Sequence, residues 1–279
     1  MLSYRTPLKR GITQRDPTVG YCIYCKVSAA ETVLTNEHII PDGLGGDLIF
    51  QEASCLPCAK IIAVFERQLI LKNFGQLRTF LDIRSSKRRG TNKSARSTHW
   101  QTETPEDLVT DPMLHPVDGN MVAMAALDLT GKRASILTNE DLGIDLPRFG
   151  EFYINNRDKW PKGRALTIQP LVGGTDLFFA KIAHGFATSR LRKMAFEPYL
   201  SQYIIHDGWE QNSHLIGSVP RSAIRRGYLH KLRIRFKNRE CNPIAGGPLT
   251  PRTLVVVEIE LFANFSLPLV EVVAGEIPK

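Results

Sequence analysis

Four of the five cysteines fall into two C-x-x-C pairs, Cys22-Ile-Tyr-Cys25 and Cys55-Leu-Pro-Cys58, separated by 29 residues. No other feature limits the fold of this chain as strongly. A C-x-x-C turn brings two thiolates within reach of one ion, and two such turns supply the four ligands of a tetrahedral Zn2+ site. The N-terminal stretch MLSYRTPLKRG lacks the apolar core of a secretory signal. It points to an intracellular, cytoplasmic setting, where thiols stay reduced and structural disulfides are disfavoured. Cys22, Cys25, Cys55 and Cys58 are therefore read as ligands of a structural zinc, and the solitary Cys241 as a free thiol.

The residues between the knuckles define what the ion would clamp. Thr32 to Thr35 has strand character and leads into Glu37-His38-Ile39-Ile40-Pro41. Pro41 ends the strand, Gly43, Gly45 and Gly46 require a loop, and Leu48-Ile49-Phe50 reads as a short return strand. After the second knuckle, Ile61, Ile62, Phe65, Leu69, Phe74, Leu77 and Leu81 recur at helical spacing. The order is knuckle, strand, glycine loop, strand, knuckle, helix: a β-hairpin and a helix with zinc at the base.

This string, C-x-x-C, then T-N-E-H-I-I-P-x-x-L-G-G, then C-x-x-C at a helix start, resembles the zinc-bearing branch of the HNH endonucleases over about residues 20 to 70. The resemblance implies a ββα-metal, treble-clef-like module that hydrolyses nucleic-acid phosphodiester bonds, with nucleic acid, DNA before RNA, as the expected partner. It implies His38 as the general base, a role that suits an imidazole titrating near neutrality. It also implies Glu37 as a ligand of a catalytic Mg2+ or Mn2+, for which a hard carboxylate oxygen is suited. Adjacent strand residues face opposite ways, so Glu37 and His38 can serve one site only where the strand ends or twists.

Two departures set the alternative. Where the family commonly carries Asn or His after the last cysteine, this chain has Ala59 followed by Lys60, and a methyl group binds no metal. The family's base-orienting Asn has no evident counterpart in Phe50 to Ser54, where Gln51 or Glu52 are the polar candidates. Glu66, eight residues beyond Cys58, could offer a second carboxylate about two turns down the helix. The second reading is thus a catalytically inactive, zinc-stabilised nucleic-acid-binding or interaction module.

The chain of 279 residues carries 36 Lys+Arg against 28 Asp+Glu, a formal charge of +8 that favours a polyanionic partner only mildly. No apolar run is long enough to span a bilayer. Residues 1–83 are expected to form the zinc module and 84–110 a basic linker; Arg84 to Arg96, which includes Arg88 and Arg89, holds no acid and could strap phosphate. Residues 111–279 read as an α+β domain, so the fold class is α+β throughout. In that domain a hairpin is expected around Gly131, strands at Phe149 to Ile154 and Ala165 to Leu171, and a helix over Asp176 to Phe196 with Phe178, Ile182, Phe186 and Ala187 as its apolar stripe. His184 on that helix, and the pair His206-Asp207, are read as non-catalytic. From Lys231 to Lys237 cations alternate with Leu232, Ile234 and Phe236, which sets Lys231, Arg233 and Arg235 on one strand face. They are candidate phosphate contacts, unless Glu258 and Glu260 of an antiparallel neighbour pair with them.

Overall fold

The computed structural model describes residues 2–8, 11–72, 175–206, 212–219, 227–244, 247–263 and 269–278, with single positions 74, 75, 78, 81, 83 and 129. The expected basic linker with Arg88 and Arg89, the hairpin around Gly131 and the strands at 149–154 and 165–171 lie outside them, as does Asp207.

The N-terminal part follows the expected order. After β1 (Ser3–Thr6) and β2 (Gln14–Asp16), the hairpin consists of β3 (Leu34–His38) and β4 (Leu48–Cys55). Helix α1 (Leu56–Lys72) leaves directly from the second knuckle. Strand β4 lies between β2, which runs parallel to it, and β3, which runs antiparallel. It is longer than the three-residue return strand expected, because Ala53, Ser54 and Cys55 also turn into the interior.

The C-terminal part is built on a six-stranded sheet. Its elements are α2 (Thr175–Leu191), β5 (Glu197–Pro198), α3 (Ser201–Ile205), β6 (Ile216–Val219), β7 (His230–Cys241), β8 (Thr250–Glu260) and β9 (Leu269–Ile277). The strand order is β1-β7-β8-β9-β5, with β6 also paired to β9 and every pairing antiparallel. The N-terminal strand β1 thus closes one edge of the C-terminal sheet.

Helix α2 packs on β8 and β9 with one side and on α1 and α3 with the others. It therefore buries more than one stripe: Phe178, Phe179, Ala180, Ile182, Ala183, Phe186 and Ala187 are all interior. A helix covered all round has this near-continuous apolar and small-residue composition. One hydrophobic cluster runs through the described residues, from Ile23, Tyr24 and Ile39 of the zinc module through α2 to Val255, Val257 and Val272 of the sheet.

Polar contacts join the hairpin loop and the knuckle to α2 and to the six-stranded sheet, β1 included. The His230 Nε2 faces the Leu44 carbonyl oxygen at 2.8 Å, and its Nδ1 accepts the Phe262 N–H at 3.2 Å. That acceptance leaves the proton on Nε2, which donates to Leu44. His184 Nε2 lies 2.9 Å from the Ile23 carbonyl oxygen, and the ring packs 5.4 Å from that of Tyr24. Tyr4 donates to Asp47. Gly46 fits only because it has no side chain: a Cβ there would stand 2.0 Å from the Ile40 carbonyl oxygen. No described helix is long and apolar enough to cross a membrane.

Candidate metal centre and the hairpin beside it

The first knuckle is shaped by its backbone. Cys22 N–H donates to Val27, and Lys26 N–H returns to the Cys22 carbonyl at 2.9 Å. Lys26 itself adopts φ 67°, a left-handed conformation that costs a non-glycine residue about 1–2 kcal/mol. Ile23 N–H donates to Ala53, which ties this knuckle to β4 and so to the second knuckle. The result is that the sulfurs of Cys22, Cys25, Cys55 and Cys58 all lie within 4.8 Å of one another. Cys25 and Cys55 sulfurs are 3.6 Å apart, far beyond a disulfide bond and close to the ~3.8 Å edge of a tetrahedron with zinc–sulfur bonds of about 2.3 Å. Among the described residues these are the one set of three or more potential ligand side chains that converge on a point.

The donor set fits zinc. Backbone N–H groups of Cys25, Cys55 and Tyr24 outweigh burial and hold the Cys22 thiol below its ordinary value. Burial pushes Cys58 far up, and the neighbouring sulfurs push it further. Four sulfurs this close cannot all ionise without a cation among them, and a divalent ion supplies the charge. Cys22, Cys25, Cys55 and Cys58 would hold it, and its contribution would be structural. Cys241 is a buried free thiol whose pKa burial raises to about 11.

The hairpin places Glu37 and His38 at the end of β3. The β3–β4 register shifts between Thr35 and Glu37, and the Asn36 side chain in that irregularity accepts the Glu52 N–H at 3.1 Å. Glu52 thus answers to Asn36, at φ 47°. Such a bulge re-aims the residues after it. Glu37 turns inward and is buried, while His38 is half-buried, in keeping with alternation along a strand.

Glu37 does not face an open groove. Its carboxylate is 2.6 Å from the ammonium of Lys181, which comes from α2. The same ammonium is 2.7 Å from Glu66 on α1, donates to the His38 carbonyl, and reaches the Ile39 carbonyl oxygen at 3.3 Å. Gly185, one turn along α2, lets the helix approach: a Cβ there would be 3.0 Å from Ile39 Cδ1. Burial raises the Glu37 carboxyl; Lys181 draws it back and Glu66 adds to the rise. Burial pulls the Lys181 ammonium down, but Glu37 and Glu66 together outweigh this and hold it above its ordinary value, so it stays charged. Glu66 does come beside Glu37, as its place on the helix allowed. Lys181, which joins them, was not foreseen from the sequence.

The catalytic divalent cation that the resemblance implies does not fit these residues. The carboxylate meant to hold it is engaged by a buried ammonium, and the helix position after Cys58 is Ala59.

The cation row on β7 is met by glutamates from the next strands. Lys231 is 3.4 Å from Glu260, Arg233 and Arg235 both pair with Glu258, and Lys237 is 2.8 Å from Glu271. The register sets Lys231 opposite Glu260 and Arg233 opposite Glu258. Lys231, Glu258 and Glu260 are each buried.

No curated protein and no solved structure matches the chain. Residues 22–70 match the family model described as HNH endonuclease, so the stretch that builds the four-sulfur cluster, the hairpin and most of α1 is similar to the HNH endonucleases.

Proposed function

We propose that the chain binds nucleic acid through a zinc-held HNH-type module and does not cut it with a divalent ion at Glu37. The nucleic-acid partner is supported by the family match, because endonucleases act on that polymer, and by the net charge of +8. The absence of cutting at Glu37 rests on one observation above all: the Glu37 carboxylate is buried against Lys181. Ala59 supports the same reading.

The surface offered to phosphate would be the outer side of α1. Lys60 and Arg67 are exposed and lie seven residues apart, which places them on one face, opposite the buried Cys58, Ile62, Phe65 and Leu69. The β7 cations are a poorer choice, since their charge is spent on Glu258 and Glu260. Anisotropy of a labelled duplex, titrated over a range of salt, tests this. Lys60→Glu with Arg67→Glu should weaken binding and flatten its salt dependence, each lost phosphate contact removing about 0.9 from the log–log slope. A native chain that binds neither DNA nor RNA would contradict the proposal.

Hydrolysis with His38 as the base is the second reading. The observation in its favour is that His38 ends β3 only partly buried, inside the matched stretch. Loss of plasmid nicking in His38→Ala would support it.

A further inference from the structure

The Lys181 ammonium is 1% exposed, and its surroundings are those of a small cation. Two carboxylate oxygens stand at 2.6 and 2.7 Å, from Glu37 on β3 and Glu66 on α1. Two main-chain carbonyls, of His38 and Ile39, complete the shell. The oxygens of Glu37, Glu66 and Ile39 stand at 2.6, 2.7 and 3.3 Å, within hydrogen-bonding reach of the ammonium. They suit an ammonium with three donors shared among its acceptors. The shell joins the end of β3, α1 and α2, so one charge ties the three pieces that surround His38.

We infer that Lys181 is the resident cation of this module: a positioning residue that holds the end of β3 from α2, in the role a bound divalent ion would play, so that no such ion enters between Glu37 and Glu66. This rests on reading residues 22–70 as an HNH-type module, and it makes α2 a working part of that module. Two carboxylates against one ammonium leave a surplus negative charge, so removing the ammonium turns the same oxygen shell into a place that demands a cation.

The test uses the zinc-loaded full chain and Mn2+, followed by electron paramagnetic resonance and thermal unfolding. The native chain is expected to bind no Mn2+ at this place, so its spectrum should match that of Glu37→Gln. Lys181→Ala should melt about 10 °C lower, as loss of one partner from a buried ion cluster implies. It should also take up one Mn2+ per chain, and regain part of its stability with it; Glu37→Gln in the Lys181→Ala background should abolish that uptake. A simple packing role for Lys181 would give the lower melting temperature without the Mn2+ uptake. Mn2+ held by the native chain and lost in Glu37→Gln would overturn the inference, as would a Lys181→Ala chain that takes up none. The native and Glu37→Gln arms decide the matter if Lys181→Ala does not fold. Duplex binding by the native chain is measured separately, so failure of this inference leaves the nucleic-acid reading standing, and the reverse.

Discussion

His184 and His230 illustrate how single side chains bind the two ends of this chain together. Both are fully interior, both spend one nitrogen on a carbonyl of the zinc module, and burial lowers both to a pKa of about 4. In the unfolded chain they titrate near the ordinary 6.5. The folded pKa is the lower one, so the stability attached to the neutral imidazoles is complete above pH 6.5. It is lost as pH falls from there to about 4, at up to about 1.4 kcal/mol per pH unit for each ring. Their ring resonances in NMR should therefore hold still between pH 7 and 5.5; a midpoint near 6.5 for either would contradict the burial and hydrogen bonding described. As a sequence, neither residue announces this. The partner of His184, the Ile23 carbonyl, lies 161 residues away and no local pattern points to it.

At the level of elements, legibility follows the range of the forces. The knuckles, the hairpin and α1 are local, and their chemistry is dense: cysteine spacing, Pro41 and the glycines agree with the fold, and of the expected helical repeat Ile62, Phe65 and Leu69 are buried on α1, while Ile61 is exposed and the helix ends at Lys72, before Phe74. Helix α2 was recognisable from Phe178, Ile182 and Phe186, yet its all-round burial was not, because an amphipathic stripe and a fully covered helix differ only in what packs on the far side. Lys181 carried a usable sign: it has no acidic residue three or four positions away on an otherwise apolar helix, so its partners had to come from elsewhere. The alternation on β7 was plain, and it was compatible with both phosphate and cross-strand glutamates; the β7–β8 register is what pairs them. That pairing makes a prediction. Arg233→Gln with Arg235→Gln leaves the buried Glu258 carboxylate without its ion pairs and should cost roughly 1–3 kcal/mol in denaturant unfolding. Duplex affinity and its salt slope should stay as in the native chain, and a marked drop in affinity without loss of stability would show that these arginines meet phosphate instead.

Across the whole molecule, the four-cysteine site and the core are coupled. The four-cysteine cluster, α2 and the six-stranded sheet share one hydrophobic cluster among the described residues, so a fault at the metal should spread. Cys58→Ser should abolish zinc binding and loosen α2 along with the knuckles, because Ile23 and Tyr24 of the first knuckle are part of the bed on which α2 lies. Hydrogen exchange should register this as faster exchange of α2 amides from Phe178 to Ala187. Normal zinc content, or unchanged protection of α2, would break that link. The direct trial of the central claim is incubation of the zinc-loaded chain with supercoiled plasmid in Mg2+ or Mn2+, followed by electrophoresis. The plasmid should be retarded at low salt and stay supercoiled with either ion. Nicking by the native chain that disappears in both Glu37→Gln and His38→Ala would contradict that claim.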